Sequence, residues 1–421
     1  MIKYDLGAVN VKYDYTSLDL PSVLYIKLTK QCMLNCKFCS QNGNKNEEMP
    51  VELIKKILDF CAEKGIYYVN YTGGEPLMYS KIEELLDYGY KKGIHQILTT
   101  NGILLDKYIE SINKVISIGV SLHGPKEIHD SLTQVKGSYD KACKNIELIR
   151  SIYPNLKISI NYTCCDENLS LDNVEKVYKN CLKNNFELTL ARINYIGRAA
   201  KYESNNYNNL FKIIYDLNKK YQEKSIKISN CIASCLVESE NKHLVHGCSA
   251  GNAIAAVETN GDVKICASSI NPIGNLYEEN FEKIWKNQKM KKFKKFSNIP
   301  IYCKVCKDFI TCKGGCKAER NGKFWNNVCD EEVYRKYEKI WKEIEKKHMH
   351  LTFNKFRKEN NNYSTISFPI RIVNDETINI ISKVKNKTGY ELLSQFEKYK
   401  QTKIKELLVA MYVDGLLRLE E

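Results

Sequence analysis

Between residues 22 and 200 the chain alternates between two hydrophobic patterns. Short runs rich in β-branched and aromatic residues predict strands: VLYIKLT (23–29), IYYVNYT (66–72), HQILTT (95–100), VISIGVSL (115–122), KISINYT (157–163) and ELTLARINY (187–195). The segments VELIKKILDFCAEKG (51–65), SKIEELLDYGYKKG (80–93), LDKYIESINK (105–114), SYDKACKNIELIRSI (138–152) and NVEKVYKNCLKNN (173–185) space their apolar residues as helices do. Six β/α units in series predict an α/β fold whose parallel strands form a partial barrel or an open sheet. In such folds reactive groups gather beyond the C-terminal ends of the strands. The glycine-bearing and polar segments fall there. CMLNCKFC follows the first strand, TGGEP ends the second, TTNG the third and SLHGP the fourth, and GRA follows the sixth.

The pattern breaks beyond residue 225, where cysteines become dense between 231 and 329 and strands become short. This reads as a second, metal-organised domain over 226–348, following a first over 1–225. The charged helix EEVYRKYEKIWKEIEKKH (331–348) closes it, and ENNN (359–362) reads as a linker. Residues 349–421 form a third, small α+β unit. Strand-like ISFPIRIV (366–373) precedes helical INIISKV (378–384), ELLSQFEKY (391–399) and KIKELLVAMYV (403–413), and DGLLRLEE (414–421) is a turn into a strand.

The length of 421 residues suits two or three such units. The first residues are charged and no run of 18 apolar residues follows, so the expected location is the cytoplasm, with no membrane segment. In that reducing compartment 17 cysteines serve as metal ligands or nucleophiles. The net charge of +14 favours an acidic partner such as a peptide or a reductant protein. No RNA or DNA motif accompanies it, and basic runs such as 286–296 read equally well as solvated helix faces.

A 4Fe-4S cube wants one ligand per iron beyond its sulfides, so three closely spaced cysteines leave one iron open to chelate a small molecule. Cys32, Cys36 and Cys39 in the spacing CxxxCxxC, with Phe38 before the last, resemble the radical S-adenosylmethionine (SAM) superfamily over roughly the first half of the chain. The resemblance implies that the reduced cluster cleaves SAM to methionine and a 5'-deoxyadenosyl radical, which takes a hydrogen atom from the substrate. It assigns Gly73, Gly74, Glu75 and Pro76 to the GGEP motif that binds the methionine amino group. Ser121 matches the position at the methionine carboxylate, Asn101 and Gly102 lie on the ribose side, and Phe38 packs near adenine. The chain departs from the family where Ser131, Leu132 and Thr133, with no Arg, follow His129 and Asp130, and where Tyr195 replaces a common Pro before GRA.

Cys248, Gly261, Cys266, Cys303, Cys306, Cys312, Cys316 and Cys329 resemble the SPASM pattern, CxGxxxxC followed by CxxCxxxxxCxxxC and a last Cys. The resemblance implies two auxiliary 4Fe-4S clusters and three in all. Cys303, Cys306, Cys312 and Cys329 bind the outer one, and Cys248, Cys266 and Cys316 the inner one. Seven cysteines fall short of eight ligands. The inner cluster either keeps an open iron or borrows Cys231, Cys235, His243 or His246. Cys61, Cys143 and Cys181 read as core residues, and Cys164 and Cys165 as packing residues at the rim.

Radical enzymes of this kind mostly act on peptides or proteins. The third unit weakly resembles the PqqD-like winged-helix domain that grips leader peptides, against the plain alternative of a helical tail. Together these readings predict a maturase that abstracts hydrogen from a ribosomally made peptide and installs a thioether or carbon-carbon cross-link, with flavodoxin or ferredoxin as electron donor. Ala267 follows Cys266 where sulfatase maturases usually carry an acid. The alternatives are oxidation of a protein side chain or a small alcohol, and an iron-sulfur or zinc scaffold without catalysis.

Overall fold

The computed structural model describes residues 5–6, 9–10, 18–41, 46–194, 196–202, 207–222, 226–229, 231–234, 237–244, 247–290, 312–313, 315–316, 331–352, 356–358, 363–365, 372–373, 375–413 and 416–420. Strands β1 (Val23–Thr29), β2 (Tyr68–Gly73), β3 (His95–Thr100), β4 (Ser117–Ser121), β5 (Lys157–Cys164) and β6 (Glu187–Arg192) lie in sequence order and pair in parallel. The same sheet gains β7 (Ile226–Ile228) beside β6, and β8 (Ile254–Val257) beside β1. Eight neighbouring strands are therefore parallel, and the sheet runs past the boundary expected at residue 225. Antiparallel β9 (Asp262–Lys264) and β10 (Gly274–Asn275) continue it beyond β8.

Helices α1 (Val51–Lys64), α2 (Ile82–Lys91), α3 (Ile109–Ile112), α4 (Lys126–Thr133), α5 (Ser138–Ile152), α6 (Leu171–Asn184) and α7 (Tyr207–Tyr221) connect the parallel strands. In α1 the buried Ile54, Ile57, Leu58 and Cys61 recur at one-turn spacing, and Gly65 at φ 72° ends the helix through its N–H to Cys61 O. The Ser170 side chain caps α6 by accepting from Asn173 N–H, and Asn185 at φ 52° stops it.

The register puts one side chain of every neighbouring pair on a common face. Leu24, Val69, Gln96, Ile118, Ile158, Leu188 and Ile226 lie on the helix-covered face, nearly all wholly buried. The other face carries Tyr25, Asn70, Thr99, Gly119, Ser159, Asn161 and Thr189, and all but Gly119 are half-buried. An apolar sheet face seals against helices, whereas this polar one is built to meet water or a polar ligand.

At the junction of β1 with β8 and β9 the polar face closes over an ion network. Lys27 Nζ lies 2.6 Å from Glu258 Oε1, Lys264 Nζ lies 2.8 Å from the same oxygen, and Lys27 also donates to Ala267 O at 3.2 Å. Burial pushes the Glu258 carboxyl up, but the two ammonium groups hold it below its ordinary value. Replacing Lys27 by methionine leaves a buried carboxylate short of a partner, and is expected to cost about 3–5 kcal/mol. A fall of the thermal midpoint, largely restored by adding Glu258→Leu, checks this. An unchanged midpoint would contradict it.

Residues 349–421 share one core with the preceding helix, whose Trp341 and Ile344 are buried together with Met349, Ile380, Leu392, Leu407 and Leu417, so the helix expected to close the second domain packs into the core of the third unit. Helices α9 (Glu331–Lys346), α10 (Asp375–Ser382), α11 (Gly389–Leu393) and α12 (Lys398–Val413) follow α8 (Phe281–Trp285). Strand β11 (Met349–Leu351) pairs with β15 (Leu417–Leu419), the strand expected at the end of the chain. Strands β12 (Phe356–Lys358), β13 (Tyr363–Thr365) and β14 (Ile372–Val373) form a three-stranded antiparallel sheet. The expected linker 359–362, and residues 366–371 of the expected strand, lie outside the described residues. No helix among the described residues is long and apolar enough to cross a membrane.

Candidate functional site

The segment that carries Cys32, Cys36 and Cys39 leaves the end of β1 and is fastened from three sides. Toward β2, Gly74 N–H donates to Thr29 O and Glu75 N–H to Gln31 O, both at 2.7 Å. This contact requires glycine. A Cβ on Gly74 would lie 2.1 Å from Gln31 O, and Gly73 sits at φ +132° with no room beside Thr29 O. At the C-terminal end of α4, Asn35 and Lys37 N–H donate to Thr133 O and Leu132 O at 3.0 and 2.9 Å. After β6, Arg198 Nε donates to Cys36 O and Arg198 N–H to Cys39 O, both at 2.9 Å. Gly197 is pressed against Cys39 O and Ser40 O. Gly74→Ala is expected to push Gln31, and with it the cysteine segment, out of place at about 1–3 kcal/mol. Thermal unfolding checks this, and an unshifted midpoint would contradict it.

The three thiols are half-buried and lie within electrostatic reach of one another. Burial pushes Cys32 up to about 11 and Cys36 up to about 12. Both therefore stay protonated until a metal displaces the proton. Among the described residues no three His, Cys, Asp or Glu side chains converge on one point as a single ion needs. Thiolates on a cube each take a different iron, and this donor set suits that arrangement.

Glu75 is 1 % exposed and lies at the end of β2. Its Oε1 accepts from Leu77 N–H at 3.0 Å and Thr100 Oγ1 at 2.6 Å, and its Oε2 from Asn101 N–H at 2.8 Å. Burial still pushes the carboxyl up to about 7. Two oxygens accept about four bonds, so one place on Oε2 is left for a cation. Asn101 also turns its side-chain amide to Met33 Sδ at 3.0 Å, with Cys32 Sγ at 4.0 Å, which links the acid to the cysteine segment. Pro76 opens the turn that Glu75 caps. Ser121 ends β4, half-buried.

Phe38 packs with Leu132, Cys165, Ile193 and Ala199, and its ring meets His123 edge-on at 4.7 Å. The His123 ring is fixed by accepting from Thr163 N–H at Nδ1, while the His123 backbone N–H donates to His129 Nδ1, both at 3.1 Å. Burial holds both imidazoles well below their ordinary value, so both act as neutral braces. Asp130 accepts from Gly137 N–H, Ser138 Oγ and Tyr139 N–H and caps α5. The role of Arg198 and Gly197 as a clamp on the cysteine segment was not read from the sequence, although GRA at the rim was a signal for it.

Cys61 and Cys181 are fully buried and Cys143 packs against the same core, while Cys164 is buried at the end of β5. In the second domain Cys248 and Cys312 are buried, and Cys266 and Cys316 half-buried. Cys303, Cys306 and Cys329 lie outside the described residues, as do Cys235 and His246 and the His243 side chain.

Residues 26–181 match the model of the radical SAM superfamily, and residues 248–312 match SPASM, an iron-sulfur cluster-binding domain. Mycofactocin maturase MftC of Mycolicibacterium smegmatis is 24% identical over 328 residues, covering 72% of this chain and 80% of that protein. The cysteine-type anaerobic sulfatase-maturating enzyme of Clostridium perfringens is 26% identical over 342 residues, covering 72% and 90%. The crystal structure of Streptococcus suis SuiB bound to precursor peptide SuiA superposes with a TM-score of 0.60 at 20% identity, covering 75% of this chain and 77% of that one. The partial barrel, the cysteine segment with its clamps and the two matched domains converge, and the chain belongs to the radical SAM superfamily of enzymes, with a SPASM domain behind its radical SAM domain.

Proposed function

We propose that this enzyme is a maturase that abstracts a hydrogen atom from a ribosomally made peptide and installs a thioether or carbon-carbon cross-link. The observation that carries the reading is the polar face beneath the rim. Tyr25, Asn70, Ser159, Asn161 and Thr189 are half-buried there, and the Asn161 amide is held over Gly119. Such a surface suits the backbone and polar side chains of a peptide. The maturase relatives and the peptide-bound SuiB structure support the same substrate class.

Cys32, Cys36 and Cys39 would hold three irons of the first cluster. Loaded with reduced cluster and SAM, the rim supplies a 5'-deoxyadenosyl radical. Glu75 would hold the ammonium of the methionine moiety, and Gly73 and Gly74 would let the backbone come close. Ser121 would serve the carboxylate, Asn101 the ribose and Phe38 the adenine. Cys248, Cys266, Cys303, Cys306, Cys312, Cys316 and Cys329 hold two auxiliary clusters, for three cubes in all. A flavodoxin or ferredoxin in the cytoplasm supplies the electron, drawn by the net charge of +14.

The third unit supports a leader-peptide grip of the PqqD-like kind. Its three-stranded sheet ends in the edge strands β12 and β14, to which a peptide strand can add. Sulfatase-type side-chain oxidation fits less well, because Ala267 offers only its carbonyl, already engaged by Lys27.

The test is anaerobic turnover of any short peptide encoded beside the gene, with and without its leader segment. Removing the leader is expected to cut modification by at least about 10-fold. Equal modification without it would move the function to side-chain oxidation. Asn161→Leu is expected to lower peptide kcat/KM by about 10-fold, the worth of one hydrogen bond, with a smaller change in peptide-free SAM cleavage. Unaltered peptide kinetics would exclude the polar face as the seat.

A further inference from the structure

The inner auxiliary site has an eighth-ligand problem, and the fold brings a cysteine to it from outside the SPASM spacing. Cys231 lies three residues beyond β7, the strand at one edge of the sheet. Arg192 Nη2 donates to Cys231 O at 3.2 Å and pins this segment to the end of β6. The next residues press on the last described cysteines. Ser234 N–H donates to Cys312 Sγ at 3.3 Å, and a Cβ on Gly315 would lie 2.8 Å from Ala233 Cβ. Cys316 is therefore carried in next to Cys231. From the other side, the loop after Cys248 is tied to the residue before Cys266 by Gly251 N–H donating to Ile265 O at 2.8 Å. The Cys231 and Cys248 thiols are hydrogen-bonded to each other, Cys266 is in electrostatic reach of both, and Cys316 is in reach of Cys231 and Cys266.

We propose that Cys231 is the fourth thiolate of the inner auxiliary cluster, so that Cys231, Cys248, Cys266 and Cys316 ligate all four of its irons. Four thiolates are the complete set for a cube. The inner cluster then has no iron free for a substrate thiolate or backbone nitrogen, and the peptide lies against the polar face without coordinating it. This rests on the reading that the SPASM domain holds two cubes.

The experiment uses the full chain with Cys32, Cys36 and Cys39 replaced by alanine, reconstituted anaerobically so that only auxiliary clusters contribute. Iron analysis is expected to give about eight irons, and the electron paramagnetic resonance signal of the reduced protein is expected to be unmoved by 13C-cyanide. Adding Cys231→Ala is expected either to let cyanide bind, seen as 13C coupling, or to remove about four irons, whereas adding Cys235→Ala does neither. Cyanide binding to the parent would overturn the proposal, as would a Cys231→Ala variant with full iron and no cyanide response, or the same effect from Cys235→Ala. Cys231→Ser, which keeps an oxygen donor, is expected to retain more iron than Cys231→Ala, and equal loss in both would also count against it. A parent without iron would instead bring down the auxiliary-cluster reading itself.

Discussion

Replacing Cys36 by alanine is expected to reduce SAM cleavage to background. The residue sits in the middle of the CxxxCxxC spacing, and its carbonyl is gripped by Arg198 at 2.9 Å, so the thiol's position is fixed before any metal arrives. A cube held by the two remaining thiolates lacks a protein ligand on two irons, and the cluster does not survive turnover. Iron should fall by about four per chain while the auxiliary irons stay. Formation of 5'-deoxyadenosine, measured anaerobically with a chemical reductant, reads the outcome. Cleavage within about tenfold of the parent rate would remove Cys36 from the ligand set.

Glu75→Gln should come next in size. The parent carboxylate accepts three hydrogen bonds and keeps one lone pair for an ammonium group. Glutamine preserves the shape but loses the charge, and its amide hydrogens face donors at Thr100 or Asn101. A charge-assisted hydrogen bond contributes about 1.5–3 kcal/mol, so the Kd for SAM is expected to rise by about 10- to 150-fold. Anaerobic equilibrium binding measures this, with iron content unchanged as the control. A Kd within about twofold of the parent would mean that the amino group binds elsewhere.

The sequence carried the core strands well, because each is local and β-branched. VLYIKLT and HQILTT coincide with β1 and β3, and SYDKACKNIELIRSI coincides with α5. It missed α4, whose KEIHDSLT has too few apolar residues for a clear stripe, and the three-residue β7. Nor could it show that β8 pairs in parallel with β1, since that contact joins residues more than 200 positions apart. The rim motifs were readable because short spacings carry their chemistry. What escaped was contact made by folding. The Arg198 clamp, the Phe38–His123 brace and the meeting of Cys231 with Cys248 depend on elements that are remote in sequence. The alternation that makes one sheet face polar was written in KISINYT, but only the strand register reveals that Ser159 and Asn161 look the same way as Thr99 and Gly119.

A hydrogen atom is expected to pass from a peptide to 5'-deoxyadenosine at this rim. The most direct measurement follows that atom. The reconstituted full chain is incubated anaerobically with reductant, SAM and a precursor peptide deuterated at its carbon positions, and both products are weighed by mass spectrometry. Deuterium in 5'-deoxyadenosine, together with a peptide lighter by the atoms lost in cross-linking, is the predicted result. Abundant 5'-deoxyadenosine free of deuterium, beside an unchanged peptide, would contradict it.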